Sequence, residues 1–340
     1  MLESTSKPLE AILLTGAGFT KNFDGFLADD MRALIVNKVG NRQALMALLN
    51  SSDLDYESVY VKVIYGDYSE EDKSVLANAV VYAYQRLDDV IRGITWNRDS
   101  PHGVNLYGVK KFLDRFGSTI NGIRGYFFTL NQDLFIERWY GQETLLKIPG
   151  KLNLPNIHVA PSRELESGDY LPVPAANKIE SVRAEDNKKT SSSGRYHYLK
   201  LHGSCNWLDD KDSGKRIMVI GGNKWEQIQN TPILLYYHEK FREVLAQPGR
   251  RLCIIGYSFR DEHINKVISE ALTKRDLKLF VISPQSRSEW ACQLTKNDPE
   301  NGAIIHKNAA NYWPWELRKI YPFNQAQTVY AEEINSALFD

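Results

Sequence analysis

The spacing of apolar residues along the 340-residue chain predicts two kinds of segment. Short apolar runs, typical of buried strands, occur at residues 11–15, 124–130, 196–201, 251–256 and 277–282. Most of residues 27–117 instead carry apolar residues at helical spacing, most clearly Leu76, Val80, Ala83, Leu87 and Val90. Residues 150–195 combine Pro, Ser and Gly with mixed charges, which predicts a loop.

Strands that alternate with helices predict an α/β fold with a Rossmann-like, mostly parallel sheet. Residues 27–117 show no clear strand, so we expect an inserted helical lobe there. The predicted domains are therefore a Rossmann-like domain of residues 1–26 and 118–340, and the lobe of residues 27–117. In such sheets ligands bind beyond the carboxyl ends of the strands, so residues with a chemical role should directly follow the strands.

Polar, turn-forming segments do follow each predicted strand, at residues 16–20, 129–133, 202–204, 256–259 and 283–284. In the first of them, Gly16 and Gly18 flank a small residue, which lets the backbone approach a phosphate near the free amides of a helix start. The third glycine of a dinucleotide fingerprint is absent, and no acidic residue is clearly placed about 20 residues later to bind a ribose. An ordinary dehydrogenase is therefore disfavoured.

Taken together, the segments GAGFTKNFDG, FTLNQDLFIER, LKLHGSCNW and IIGYSFRDEHIN resemble the motifs of the sirtuin family in their order. Their particular variants resemble the bacterial sirtuin-like branch found in antiviral defence. The resemblance covers roughly residues 11–285, with gaps at the helical lobe and at residues 145–195, and it implies that the chain binds NAD. It implies NAD-binding roles for Gly16, Ala17, Gly18, Phe19 and Thr20 at the pyrophosphate loop, Gly256, Tyr257 and Ser258 at the adenosine, and Ser283 near the adenine ribose. It implies catalytic roles for Asn131 and Asp133 at the nicotinamide ribose and for His202 as the general base.

These residue types suit cleavage of the bond between nicotinamide and ribose. The nicotinamide of NAD is already cationic, so its departure needs no general acid, and nearby oxygens stabilise the oxocarbenium-like transition state. A neutral histidine can deprotonate a ribose hydroxyl or a water, and an asparagine can orient both groups at once. Because Asn131 and His202 directly follow strands, we expect both side chains to contribute little to core packing.

The resemblance implies an NAD glycohydrolase that forms nicotinamide and ADP-ribose and is controlled by assembly or by a partner, such as a HerA-type hexameric ATPase. Sirtuin deacetylases usually carry a four-cysteine zinc module, which the scattered Cys205, Cys253 and Cys292 cannot build. The glycine loop also continues as KNFDGFLADDM where the family usually has an Asp-Phe-Arg segment. We therefore expect no metal. An NAD-dependent protein deacylase and a non-catalytic sensor of NAD or ADP-ribose remain alternatives.

Composition adds expectations about partners and location. Lys plus Arg and Asp plus Glu both number 42, so the chain lacks the basic excess typical of nucleic-acid-binding proteins. Zero net charge and aromatic residues near the C-terminus that look exposed favour a homo-oligomer.

The N-terminus has no signal pattern, and no apolar run reaches the roughly 20 residues that span a bilayer. These features predict a cytoplasmic protein without membrane contact. The odd number of cysteines predicts a reducing compartment, with the thiols used as small buried groups.

Other distinctive residues have structural interpretations. Thr231-Pro232 predicts a helix start, and Asp261 and His263 are interpreted as helix-cap residues without a catalytic role. The stretch Tyr236-Tyr237-His238 is interpreted as a packing face. Trp313 and Trp315 are expected to anchor the C-terminal segment in the core.

Overall fold

A computed structural model describes residues 11–94, 103–117, 125–140, 146–147, 170–187, 196–209, 215–325 and 327–340. The strands are β1 Ala11–Thr15, β2 Gly125–Thr129, β3 Leu146–Lys147, β4 Leu171–Val173, β5 Tyr196–Lys200, β6 Gly203–Asp209, β7 Arg216–Met218, β8 Arg251–Ile255, β9 Lys278–Ile282 and β10 Ala309–Trp313. The helices are α1 Ala17–Lys21, α2 Ala28–Val39, α3 Gln43–Leu49, α4 Tyr56–Ile64, α5 Glu70–Gly93, α6 Leu106–Gly117, α7 Phe135–Trp139, α8 Ile179–Asn187, α9 Lys224–Gln229, α10 Pro232–Leu245, α11 Glu262–Lys274, α12 Arg287–Asn297, α13 Pro299–Asn308, α14 Leu317–Ile320 and α15 Val329–Phe339.

In the part of the chain that the structure describes, the main sheet has seven strands in the order β10-β9-β8-β1-β2-β5-β3. Each neighbouring pair in it is parallel. All five residues of the central strand β1 are buried, as expected for a parallel strand covered on both faces. The prediction of a Rossmann-like α/β fold with a mostly parallel sheet is therefore confirmed.

The strand order places a ligand crevice between β1 and β8. From β1 the chain moves to β2 on one side, and it later returns to β8 on the other side. The loops after these two adjacent strands must diverge, and this reversal of strand order is where open α/β sheets bind ligands. The loops concerned begin at Gly16 and Gly256.

The described residues between 27 and 117 form the five helices α2–α6 and no strand longer than an isolated bridge at Val104. In α5 the predicted apolar face packs inward, and the Ser69 hydroxyl caps the helix start by accepting a hydrogen bond from the Asp72 amide. The helical content of this segment agrees with the expectation. Its separation from residues 1–26 and 118–340 as a lobe stays a prediction.

Several elements were missed in the sequence. A three-stranded sheet of order β4-β6-β7 lies beside the main sheet, and β10 extends the main sheet. The described residues 170–187 hold β4 and α8 within the stretch expected to be a loop, so that expectation is wrong there. For β4 and β7 the cause is length, because three residues are too few for hydrophobic periodicity to show.

Burial corrects two further expectations. Trp313 is buried and Trp315 packs against the core, which confirms the anchoring role. Because both residues are covered, they no longer support the prediction of self-association from exposed aromatic residues.

Cys205 and Cys253 are buried as expected, whereas Cys292 is exposed. Within the described ranges, no helix is both long enough and apolar enough to cross a membrane.

Candidate active site

A cleft of about 1130 Å³ opens at the carboxyl ends of β1, β2 and β8, between the sheet and the helices α2, α4 and α5. All of the predicted site residues line it except Phe19 and Thr20. Residues that follow different strands thus meet at one edge of the sheet, as strand-end clustering predicted. The volume slightly exceeds the usual range for small-molecule sites, roughly 300–1,000 Å³.

The two glycine loops at the base of the cleft interlock. The Gly18 amide donates to the Gly256 carbonyl at 2.9 Å, and the Gly16 amide donates to the Ile255 carbonyl at 3.0 Å. A Cβ atom on Gly18 would lie 2.8 Å from the Gly256 Cα. The Phe19 amide donates to the Gly16 carbonyl at 2.8 Å. The expectation of free amides at this loop is therefore wrong for Gly16, Gly18 and Phe19, and the glycines are required first of all for loop packing.

Gly256→Ala should destabilise the fold strongly. Gly256 has φ +66°, and an added Cβ would lie 2.1 Å from the Phe19 amide nitrogen and 2.3 Å from the Gly18 carbonyl carbon. Gly103 has the same φ with open space around it, so Gly103→Ala isolates the backbone cost, about 1–2 kcal/mol. We expect the free energy of unfolding, measured in urea, to fall by clearly more in Gly256→Ala than in Gly103→Ala. Equal losses would contradict the interlock.

Thr20 connects α1 to the segment after β2. The Asn131 Nδ2 donates to the Thr20 hydroxyl at 3.0 Å, and that hydroxyl donates to Asp133 Oδ2 at 2.9 Å. Because the Thr20 proton is used by Asp133, the hydroxyl can only accept from Asn131, which fixes the orientation of the Asn131 amide. Asn131 Oδ1 is buried and has no hydrogen-bond partner among the described residues. An acceptor held in this way is available to a ligand hydroxyl or a water.

Asp133 is held on both carboxylate oxygens. Its Oδ1 accepts from the Phe135 amide, the first amide of α7, at 3.0 Å, and its Oδ2 accepts from the Thr20 hydroxyl. Burial raises the pKa of Asp133, an effect that the Lys200 charge and these hydrogen bonds oppose. The residue therefore lines the cleft and also supports it. Both of its carboxylate oxygens make structural hydrogen bonds, which the predicted catalytic role does not require.

His202 lies in the turn between β5 and β6. Its carbonyl accepts from the Val219 amide at 3.0 Å and from Gln132 Nε2 at 3.2 Å, so the backbone is fixed. Burial lowers the pKa of His202 to about 3, although the Asp261 carboxylate opposes the effect. The ring is therefore neutral at pH 7, as a proton acceptor must be. Asn131 and His202 are nevertheless 9% and 4% exposed, so the expectation that they contribute little to packing is wrong.

A second histidine, missed in the sequence, completes this part of the cleft. His263 Nε2 lies 3.1 Å from His202 Nε2, and the Trp225 ring stacks against the His263 ring. Burial lowers the pKa of His263 to about 4. The interpretation of His263 as a mere cap residue is therefore wrong. His263 lies within α11 rather than directly after β8, so the strand-end criterion did not identify it.

Asp261 also differs from its interpretation. It directly precedes α11, in the cap position, but its side chain makes no capping hydrogen bond. Its Oδ1 instead lies 2.9 Å from Lys224 Nζ, which is also 2.9 Å from Glu57 Oε2. Burial alone would raise the pKa of Asp261, but the neighbouring His202 and Lys224 side chains outweigh it and lower the pKa. This ion-pair triad joins α4, α9 and the cleft.

Other predicted residues have structural roles at the cleft. The Tyr257 hydroxyl contacts Asn265 Oδ1 at 3.1 Å and the Asp261 backbone, so it holds α11 in place. Phe19 packs against Phe23 and Phe135 in the core. The packing-face interpretation holds for Tyr236 and Tyr237, which are buried, whereas His238 is buried but lines the cleft beside Trp225. Ser258 and Ser283 line the cleft, as do Gly16 and Ala17.

A parallel sheet with a cleft at the reversal of strand order defines a Rossmann-like α/β protein. The family model for the SIR2-like domain matches residues 126–303, more than half of the chain. The chain therefore belongs to the SIR2-like domain family, whose members use NAD. A search of curated proteins found no match. The sirtuin-like resemblance is confirmed at this level, and the antiviral branch stays a prediction.

Proposed function

We propose that this chain is an NAD glycohydrolase that cleaves NAD to nicotinamide and ADP-ribose. The proposal rests on two groups in one cleft of an SIR2-like domain: Asn131 Oδ1, which has no hydrogen-bond partner among the described residues, and the neutral His202 ring. The reaction needs a hydrogen-bond acceptor that orients a ribose hydroxyl or a water, and a base that removes the proton of that group. The cleft volume suits a dinucleotide.

The residues of the cleft have distinct roles in this reaction. Asn131 Oδ1 accepts a hydrogen bond from the nicotinamide ribose or from the attacking water, while Thr20 holds the amide in place. His202 takes the proton from that hydroxyl or water. Asp133 places a carboxylate beside the ribose and stabilises positive charge that develops there. The bond between the ribose carbon and the nicotinamide nitrogen breaks with its electrons on nicotinamide, and water supplies the new oxygen and releases one proton.

The adenosine half of NAD is proposed to extend along Gly256, Tyr257, Ser258 and Ser283. Because the Tyr257 hydroxyl is held by α11, its contribution is the ring face rather than a hydrogen bond. The pyrophosphate is proposed to lie over the loop of residues 16–20. There Ala17 lines the cleft while the Gly16 and Gly18 amides hold the neighbouring loop.

Incubation of the purified chain with NAD, followed by separation of the products, tests the proposal. We expect nicotinamide and ADP-ribose without any acyl donor, and ¹⁸O from labelled water in the ADP-ribose. Products that appear only when an acyl-lysine peptide is added would identify a protein deacylase. Binding of NAD with no turnover, in the presence of a partner as well as alone, would identify a sensor.

The resemblance to antiviral sirtuin-like proteins supports a wider proposal. An enzyme that depletes NAD harms its own cell unless it is held inactive, so we propose that assembly as a homo-oligomer or a HerA-type ATPase partner controls it. The proposed setting is the cytoplasm. No metal is proposed for the reaction, because none of its steps requires one.

A further inference from the structure

The hydrogen bond between His202 and His263 restricts the protons on both rings. Their Nε2 atoms are 3.1 Å apart, a distance at which one nitrogen carries the hydrogen and the other accepts it. Both rings are neutral at pH 7, since burial lowers the pKa of His202 to about 3 and that of His263 to about 4. Each neutral ring has one N–H and one bare nitrogen, so the pair has only two arrangements.

The two arrangements have opposite consequences for catalysis. If His263 donates, His202 must carry its hydrogen on Nδ1, and neither nitrogen of His202 can take a proton from a substrate. If His202 donates through Nε2, its Nδ1 is bare. No hydrogen bond from a described residue reaches that Nδ1. Only the second arrangement is compatible with His202 as a base.

The residues around His263 hold its ring in place and include a carboxylate that favours a positive charge on the histidine pair. Trp225 stacks on it, with ring centroids 6.2 Å apart. The Asp261 carboxylate, two residues earlier in the chain, is held by Lys224, which also pairs with Glu57. The Asp261 carboxylate favours a proton on either histidine, raising the pKa of both rings, while the Lys224 ammonium opposes this effect. A proton that arrives on the pair is therefore stabilised by Asp261.

We infer that His263 is a positioning residue that accepts a hydrogen bond from Nε2–H of His202. This leaves Nδ1 of His202 free to take the proton in NAD cleavage. The inference rests on the proposed function. The O–H bond of the ribose hydroxyl or the water breaks and a bond from hydrogen to Nδ1 forms. The Nε2–H bond to His263 persists through this step. The positive charge stays on His202, where the hydrogen bond to His263 and the Asp261 carboxylate stabilise it, and the proton leaves to solvent with the products.

Two substitutions of His263 separate this role from simple packing. Glutamine can still accept from His202 Nε2–H through its side-chain oxygen, whereas leucine fills space without any acceptor. We expect His263→Gln to keep kcat within about threefold. We expect His263→Leu to lower kcat by about 10- to 100-fold with little change in KM, the size typical of residues that orient a functional histidine. His306→Leu, outside the cleft, is the matched control and should keep wild-type kcat.

NMR of protein labelled with ¹⁵N-histidine provides a readout that does not depend on turnover. We expect the His202 ring to carry its hydrogen on Nε2 in the free wild type and in His263→Gln, and to lose this preference in His263→Leu. A wild-type His202 with its hydrogen on Nδ1 would overturn the inference, as would equal kcat losses in both variants or wild-type kcat in His263→Leu. If the wild type does not hydrolyse NAD, the proposed function fails, and the ring protonation still tests the role of His263.

Discussion

Alanine at Asn131 or at His202 is expected to lower the rate of NAD hydrolysis by roughly 10²–10⁴-fold, the usual contribution of a positioned proton-transfer group. His202→Ala removes the base, and Asn131→Ala removes the buried Oδ1 that has no partner among the described residues. Both groups act on the reacting ribose or water. The loss should therefore appear in kcat more than in the affinity for NAD. Steady-state kinetics beside calorimetric binding of NAD measures the two effects separately.

Burial of both residues means that stability must be measured in the same variants. Asn131→Ala breaks one hydrogen bond to Thr20, worth about 0.5–1.5 kcal/mol, while Thr20 keeps its bond to Asp133. We therefore expect a modest fall in the melting temperature and a folded protein. His306→Ala serves as the control outside the cleft. Folded Asn131→Ala and His202→Ala proteins with wild-type kcat would refute the assigned mechanism.

The pH profile adds a check on the state of His202. Its low pKa means that the ring stays neutral from pH 8 down to pH 5, so the base should remain competent over that range. A histidine exposed to solvent would instead lose its proton-accepting form as the pH falls through about 6.5. We expect kcat to be nearly flat between pH 5 and 8. A fall in kcat centred near pH 6.5 would contradict the buried, neutral base.

The sheet and the position of the cleft could be predicted from the sequence because they depend on local patterns. Each core strand is a short apolar run, and each is followed by a polar turn, so a parallel sheet must bring those turns together. Asn131 and His202 were identified in this way, and both line the cleft. The strands β4 and β7 could not be identified in the same way, because a three-residue strand carries no measurable period.

The pairings inside the site could not be predicted, because they join residues far apart in the chain. Lys224 contacts Glu57 and Asp261, and His202 contacts His263, 61 positions away. Each of these residues taken alone has an ordinary structural interpretation, and only the fold shows its partner. The purpose of the glycines was also hidden, since the sequence does not show that the Gly256 backbone occupies the space beside Gly18.

The buried ion pair of Lys200 and Glu137 supports the site from the core, and it could not be predicted from the sequence. Lys200 is completely buried, and its Nζ lies 2.8 Å from Glu137 Oε1. The same Nζ donates to the Asp133 carbonyl, and the Tyr198 hydroxyl donates to Glu137 Oε2 at 3.2 Å. The pair therefore lies directly behind the segment that carries Asn131 and Asp133, and it fixes that backbone from the core side.

Lys200→Met is expected to lower the free energy of unfolding by roughly 3–5 kcal/mol, because it leaves the Glu137 carboxylate buried without its cation. Adding Glu137→Gln removes the stranded charge and keeps an acceptor for Tyr198, so the double variant should recover part of the loss. Lys73→Met is the matched control, since Lys73 pairs at 3.0 Å with the exposed Glu70 and should lose less than about 1 kcal/mol. Urea unfolding compares the three. Equal losses in Lys200→Met and in the double variant would show that the destabilisation comes from lost packing of Lys200 rather than from the unpaired charge.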